Sequence, residues 1–429
     1  MSREKFALIR SGFAACIVAC MAALLVPAQA QTYTVIHNFL GGPDGNEPAY
    51  GLTIDQYGTL YGSTFEADEG TGNIYRLRYR NGFWQLNPLY VFTGGPHSPG
   101  AVPYAGVIIG PAQVLFGTTA FGGEGNCATW GGTVGCGTAF KLQPPVSFCI
   151  NATCSWLETR LFEFNGSSGG AMPYGGVPIF DQAGNMYGTT YGGGNGSCAG
   201  GCGLVYELSP SNGGWTENVL YMFSGSTHND GANPWAGVVF DQAGNLYGTN
   251  ELGGANGYGT IYELSPSGSG WTEKILYNFQ GQTDGGMPYA GLVFDRAGNL
   301  YGATTVGGNG QGGTLFQLAP QGSNWNYQPL CSFTRQMGEF AGGPVATPAM
   351  DSAGNLYGAT SGDGAYGFGE VFKATNSGSG WTCTALYNFT GGNDGRLPRS
   401  NLVLDTNGNV YGTAAGGQLT YGVVFEITP

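Results

Sequence analysis

The chain has 429 residues and carries 14 basic against 27 acidic side chains, a net charge of −13 that repels phosphate backbones and argues against a nucleic-acid partner. Only 10% of residues are charged and 81 are glycine, a composition that borders on disorder. Aromatic residues, at 13% and regularly spaced, point instead to a packed, turn-rich β protein.

Residues 1–30 read as a signal peptide. Basic Arg3, Lys5 and Arg10 precede an apolar run from Phe13 to Val26, then Ala28-Gln29-Ala30, and the run is too short to span a bilayer comfortably. Cleavage is expected after Ala30. The competing reading is lipoprotein processing at Cys20, which would leave a long apolar stretch behind the modified cysteine. Loss of residues 1–30 leaves 11 basic and 26 acidic side chains, a net of −15. No later segment is apolar enough to cross a membrane, so a secreted or periplasmic protein is expected.

From Asp55 onward one pattern recurs seven times: DQYGTLYG from Asp55, GPAQVLFG from Gly110, DQAGNMYG from Asp181, DQAGNLYG from Asp241, DRAGNLYG from Asp295, DSAGNLYG from Asp351 and DTNGNVYG from Asp405. The aromatic of each copy follows the last by 55, 71, 60, 54, 56 and 54 residues, the spacing of a repeat architecture. Within the fourth unit, residues 236–241, 245–250, 259–264 and 271–279 read as four successive antiparallel strands separated by turn residues. Asp241 is suited to accept backbone N–H bonds across the first turn, and Gly244 to supply its positive φ. Tandem four-stranded units of this length are what propeller blades look like.

The two ends are complementary. The last unit stops at its third strand, residues 422–427, while residues 33–39, YTVIHNF, match the fourth-strand pattern before the first full unit. The expectation is an all-β, seven-bladed β-propeller over residues 31–429, a single domain closed by the N-terminal strand, which removes open sheet edges. A linear β-solenoid leaves the split unit unexplained.

Eight cysteines remain after the signal. Cys127 with Cys136, Cys149 with Cys154, and Cys198 with Cys202 are close in sequence, which leaves Cys331 for Cys383; an even count in an exported chain favours disulfides. Cys198-x3-Cys202 has no accompanying histidine or second pair with zinc-ligand spacing.

Written out, the repeat is D-x-x-G-N-[LMV]-Y-G-T, a glycine-rich loop, G-T-x-[FY]-x-L, W-T-x-x-x-L-Y-x-F and G-x-D-G-x-x-P-x-A-G-L. In these motifs the chain resembles the GloVer (Gloeo-Verruco) tandem repeat proteins over essentially all of residues 31–429. The resemblance implies a secreted bacterial propeller. Some members carry a C-terminal surface-anchoring module; none follows Pro429, so that route of attachment is not implied. Unit two departs from the pattern by lacking the turn Asp and Asn. The family implies no activity, ligand or catalytic residue.

Residues that recur in every blade serve each blade's own fold first. The turn aspartates are therefore read as hairpin caps, since Ca²⁺ requires six or more converging oxygens. The same applies to Asp44, Asp230, Asp284 and Asp394 in the D-G-x-x-P loops; calcium there is compatible with the sequence but not implied, and no cofactor or metal ligand is assigned. Six tryptophans (Trp84, Trp156, Trp215, Trp271, Trp325, Trp381) open fourth strands and are read as packing residues.

Trp130 and Trp235 break the pattern. Trp130 lies in the blade-two loop between Cys127 and Cys136, and Trp235 replaces the tyrosine of P-Y-A-G, which places both on one rim if the strand order is the usual one. Packing over a disulfide and filling a tyrosine position are the bland readings; stacking on a sugar or holding a partner are the functional ones. Off-pattern ionisable residues on that rim are Glu66, Asp68, Glu69, His97, Glu124, His228, Glu251, Arg335, Glu339, Asp363, Arg396 and Arg399, among which His228 with Glu251 would make an acid/base pair. Neither G-x-S-x-G nor H-E-x-x-H occurs.

The reading is a secreted, monomeric, non-enzymatic propeller that binds a glycan or an extracellular protein through Trp130, Trp235, His228 and Glu251, with no catalytic residue assigned. The alternatives are a polysaccharide hydrolase or lyase using rim carboxylates and histidine, and a structural envelope protein. Converging carboxylates in the central funnel would favour the enzyme, and exposed aromatics without them would favour binding.

Overall fold

Each sheet starts from a turn that satisfies itself. The Asp241 Oδ1 accepts the backbone N–H groups of Ala243 and Asn245 at 2.8 and 2.9 Å, and its Oδ2 accepts from the Asn245 amide at 2.8 Å and the Tyr247 hydroxyl at 3.2 Å. Gly244 takes φ +87°, the left-handed conformation such a turn needs. Asp295, Asp351 and Asp405 repeat all four contacts. In the decayed second copy a short 3-10 turn, Pro111–Gln113, does the same work with Ala112 and Gln113 at positive φ.

The computed structural model describes residues 31–67, 71–94, 98–127, 135–145, 156–225, 229–268, 270–335, 342–417 and 421–429. They form seven antiparallel four-stranded blades. Blade 4 shows the plan: Val239–Phe240, Leu246–Asn250, Thr260–Ser267 and Gly270–Asn278 pair in that order. The glycine of each Y-G-T is needed because the third-strand aromatic lies across it; a Cβ on Gly358 would meet the Phe372 ring at 2.5 Å.

Three recurrent contacts tie each blade to the next. Except in blades 5 and 6, where Ala303 and Ala359 stand there, the hydroxyl that follows the aromatic-glycine pair donates to the next blade's inner segment, as Thr189 to the Ala236 carbonyl and Thr249 to that of Ala290, both at 2.8 Å. The fourth-strand tryptophan packs on the second-strand aromatic of the preceding blade: Trp325 lies 6.1 Å from Tyr247 and Trp381 5.7 Å from Tyr301, ring centre to ring centre. The phenylalanine ending each fourth strand packs on the third-strand aromatic of the following blade, as Phe92 on Phe140 at 5.1 Å and Phe279 on Phe316 at 5.6 Å. Sequence recurrence thus encodes both the blades and the joints between them.

The same three contacts close the ring. Thr32–Asn38 pairs antiparallel with Val423–Thr428, from Thr32 opposite Thr428 to Asn38 opposite Val423, with one bulge at the place where other fourth strands have theirs. Thr413 donates to the Pro48 carbonyl at 3.4 Å, Trp84 lies 5.9 Å from Tyr411, and Phe39 lies 5.3 Å from Tyr75. The seam between blades 7 and 1 is therefore built like the others. Disulfides join Cys127 to Cys136, Cys198 to Cys202, and Cys331 to Cys383; the last staples the outer strands of blades 5 and 6, with Cα atoms 6.2 Å apart. Cys149 and Cys154 lie outside the described residues. Bonds of this kind belong to an oxidising extracellular or periplasmic environment. No helix among the described residues is long and apolar enough to cross a membrane.

Candidate functional site

The inner segments that lead into the first strands carry P-[YW]-[AG]-G in blades 2 to 5, and the fold brings them together with those of blades 6 and 7 around the ring axis. Backbone proximity there crowds the last residue, which is glycine in blades 2 to 5 and Thr347 and Asn401 in blades 6 and 7. A Cβ on Gly106 would meet Gly51 at 3.0 Å, and Gly51 bridges Asn401 across the closing seam. Tight glycines on the axis push the motif's second residue outward onto one rim, so positions far apart in sequence become neighbours.

Those second residues are Tyr104, Tyr174, Trp235 and Tyr289 in blades 2 to 5, and they form a continuous aromatic belt. Tyr104 and Tyr174 meet edge to face at 5.0 Å, Tyr174 and Trp235 stack at 4.8 Å with planes 23° apart, and Trp235 meets Tyr289 at 5.0 Å. Residues ending the second strands support the belt from beneath. Phe65 lies 5.2 Å from Tyr104, and Tyr191 lies 5.5 Å from Trp235. At the next position the supporting residue is Glu251, which accepts the Tyr289 hydroxyl at 2.8 Å. Offset and edge-on ring pairs of this kind contribute roughly 0.5–1.5 kcal/mol each beyond their burial, so the belt is stiff.

Glu251 is 7% exposed. Burial raises its carboxyl above the usual carboxylate range, against hydrogen bonds from Tyr289 and Tyr191 that act to lower it. It follows Asn250 at the end of the second strand, and the adjoining Leu252–Gly253 pairs with Gly231–Ala232 just before Trp235. The rim is thus shared by second-strand ends and blade-to-blade segments. Trp235 and Glu251 belong to one cluster, linked through Tyr289 and Tyr191. Trp130 and His228 lie outside the described residues.

A cavity of about 260 Å³ opens beside the belt. Its walls come from five blades: Gly175 to Val177, then Trp235, Tyr289, the Val345–Thr347 segment, Arg399 and Asn401 among others. Valine and arginine stand where the belt would continue, since Val345 follows Pro344 in blade 6 and Arg399 follows Pro398 in blade 7. One side of the cavity is therefore aromatic and the opposite side aliphatic and cationic. Among the described residues that line the cavity none is a carboxylate or a histidine. Glu251 is linked to the lining through its hydrogen bond with Tyr289.

The other acidic candidates are engaged locally. The Asp230 carboxylate accepts from the Tyr221 hydroxyl, the Ser224 backbone N–H and the Ser224 hydroxyl at 3.2, 2.7 and 2.8 Å. Asp284 and Asp394 accept in the same way from Tyr277 and Tyr387 and from their own loops. These are loop caps anchored to the outer strand. Among the described residues no group of three or more His, Cys, Asp or Glu side chains is placed to hold a metal ion.

The belt residues Tyr104, Tyr174 and Tyr289, the supporting Tyr191 and the cavity-lining role of Arg399 are what sequence reasoning missed. The signal was present in the register P-[YW]-[AG]-G, P-V-A-T, P-R-S-N along blades 2 to 7, whose second position changes character between blades 5 and 7.

Comparison with known proteins places the chain by sequence. The Gloeobacter/Verrucomicrobia repeat profile matches residues 126–345, about half of the chain. No curated protein matches it. Solved structures similar in shape include a gluconolactonase from Xanthomonas campestris, 11% identical over 93% of this chain and 89% of that one with a TM-score of 0.39. A PQQ-bound aldose sugar dehydrogenase from Streptomyces coelicolor is 13% identical over 93% and 98%, with a TM-score of 0.41. A Dyadobacter fermentans protein of unknown function is 11% identical over 93% and 98%, with a TM-score of 0.43. At such identities and scores no activity passes from those proteins to this one.

Proposed function

This chain belongs to the Gloeobacter/Verrucomicrobia repeat family, and from its axial cavity we propose that it is an exported binding protein that seats a carbohydrate against the aromatic belt. The observation that carries this reading is the cavity wall formed by Trp235 and Tyr289, held rigid by Tyr174, Tyr191 and Glu251. Sugar rings present apolar C–H faces and a hydroxyl edge, and they are bound by an aromatic plane with a few fixed polar groups beside it. Asn401, Thr347 and Arg399 supply such groups. A pre-ordered wall loses little freedom on binding, which favours affinity.

Export is part of the same proposal: residues 1–30 would be removed after Ala30, and the disulfides would form outside the cytoplasm. The aromatic planes of Trp235 and Tyr289 in the cavity wall support binding. The test is a glycan-array and polysaccharide pull-down screen of residues 31–429, with and without calcium, beside Trp235→Ala. Loss of a central aromatic contact worth 2 kcal/mol or more weakens binding by about 30-fold. Binding that survives unchanged in Trp235→Ala would move the site elsewhere, and capture of a protein in place of any glycan would replace the carbohydrate reading.

A further inference from the structure

We propose that the outer hairpin of blade 1 is a second interaction surface, on the rim opposite the belt, and that it receives an acidic segment of another exported protein. Strands alternate in direction within a blade, so the turns after the first and third strands lie on one rim and the belt's segments on the other. Asn73–Arg80 and Phe83–Val91 pair with Arg78 opposite Gln85, Tyr79 opposite Trp84 and Arg80 opposite Phe83. At the places of Arg78, Tyr79, Arg80 and Phe83, blade 3 has Ser209, Pro210, Ser211 and Gly214 in the same register, and blade 4 repeats that choice. Tyr57 likewise stands in the first turn of blade 1 where the turns from Asp181, Asp241, Asp295 and Asp351 have alanine. Small residues suffice to build these turns, so the rings and guanidiniums of blade 1 serve something other than the fold.

The side chains are presented to solvent on a fixed frame. Tyr57 is 78% exposed, Tyr79 61% and Phe83 54%, and Arg80 is exposed beside them. Asn81 and Gly82 take φ +54° and +87°, the two successive left-handed residues of a tight two-residue hairpin, so the tip is held in one shape. Asp55 links the two turns. Its Oδ1 accepts the Tyr57 and Thr59 backbone N–H groups at 2.9 and 2.8 Å, and its Oδ2 accepts from the Tyr61 hydroxyl at 3.4 Å. Burial and Asp55 raise that hydroxyl above the usual tyrosine value, and Arg78 beside it acts the other way. Tyr79 meets Trp84 edge to face at 5.6 Å, which steadies the aromatic side of the tip.

Charge identifies the partner. Arg76, Arg78 and Arg80 are three of the 11 basic residues that follow residue 30, in a stretch whose net charge is −15. They alternate along one strand and so lie on one face of it. Burial, then the charges of Arg78 and Arg80, hold the Arg76 guanidinium below its usual range. Like charges gathered in this way repel, and an acidic partner relieves the repulsion. Guanidiniums take carboxylates through two parallel N–H···O bonds. Arginine beside exposed tyrosine and phenylalanine is also the composition enriched in protein–protein interfaces, where lysine is depleted. A flat anionic lipid surface fits less well, because it would meet Asp181, Asp241, Asp295, Asp351 and Asp405, whose turns lie on the same rim. A segment crossing blade 1 meets the turn of Asp55, whose carboxylate is already engaged.

The test is equilibrium binding of residues 31–429 to an acidic copolymer of glutamate and tyrosine, beside polygalacturonate and phosphatidylglycerol vesicles. Wild type is compared with a fourfold variant carrying the blade 3 residues (Arg78→Ser, Tyr79→Pro, Arg80→Ser, Phe83→Gly) and with Arg78→Lys, Arg80→Lys. All are matched by thermal unfolding, and Arg80→Ser with Phe83→Gly, which alters only exposed tip positions, stands in should the fourfold variant unfold. The expected result is salt-sensitive binding of the copolymer that the fourfold variant weakens by about tenfold or more, with the lysine variant in between. No copolymer binding, or equal binding by wild type and the fourfold variant, overturns the proposal. A larger loss for polygalacturonate or for vesicles than for the copolymer assigns the surface to a glycan or a lipid and overturns it as well. Self-association of the wild type that the fourfold variant abolishes makes a second copy of this chain the occupant, which also overturns it. Each of these outcomes leaves the reading of the axial cavity, at the other rim, to its own test.

Discussion

Truncating Phe39 tests whether the N-terminal strand is a true fourth strand of blade 7. Phe39 is 0% exposed and packs on Tyr75 of blade 1, as Phe279, also 0% exposed, packs on Phe316 of blade 5. Removing a buried phenylalanine ring costs about 3–5 kcal/mol through lost burial and the cavity left behind. With about 2.1 cal/mol/K of unfolding entropy per residue over roughly 400 residues, 1 kcal/mol is close to 1.2 °C, so each truncation lowers Tm by about 4–6 °C. The assay is calorimetric unfolding of Phe39→Ala and Phe279→Ala beside Leu40→Ala, a neighbour that is 77% exposed and expected to be neutral. Equal losses for the two phenylalanines are predicted, and deletion of residues 32–40 should abolish the single cooperative transition. If Phe39→Ala costs under about 1 kcal/mol while Phe279→Ala costs its full amount, the strand is an appendage and the closed-ring account is wrong.

Two further outcomes follow from the outer strands. Burial raises the carboxyls of Glu158 and Glu217 to about 7 and, with Asp230 adding to it, that of Glu273 to about 8, above the ordinary value of about 4.3. Folded values above unfolded ones mean stability that is complete below about pH 4 and is lost progressively up to the folded values, so Tm should fall between about pH 4 and about pH 8 and level off above. The triple Glu→Gln variant should flatten that slope, and a Tm that rises over the same range would contradict the assignment. Non-reducing peptide mapping should recover Cys331 joined to Cys383, and the double Cys→Ser variant should lose about 2–4 kcal/mol because the bond spans 52 residues; a free thiol at either position would remove that staple.

The fold was legible because the repeat writes the same local physics seven times. Asp241, Gly244 and Tyr247 announce one turn, and the missing strand after residue 427 is matched by YTVIHNF at the start. The joints were half legible. The tryptophans of the fourth strands were read as packing residues, yet that Trp325 packs on the preceding blade and Phe279 on the following one depends on blade geometry.

The site was harder for a physical reason. Setting aside recurrent residues discards Tyr104, Tyr174 and Tyr289, but circular symmetry gathers a recurrent position onto a single rim, where four individually unremarkable side chains become a wall. Trp235 stood out as a substitution within that position. Arg399 was read only as one of twelve off-pattern ionisable rim residues, because it becomes the counterpart of Trp235 only when P-R-S-N is aligned with P-W-A-G. Glu251, read as a rim acid, turns out to lie under the belt and to hold Tyr289. No local sequence signal shows which loop residue faces water and which supports a neighbouring blade.

The most direct test of the central claim is a crystal structure of residues 31–429 soaked with whichever glycan the array screen retains. The account predicts one sugar ring stacked on Trp235 or Tyr289 inside the axial cavity, with a polar substituent against Arg399. Sugar density on an outer strand or at the opposite rim, with the cavity filled only by water, would contradict it.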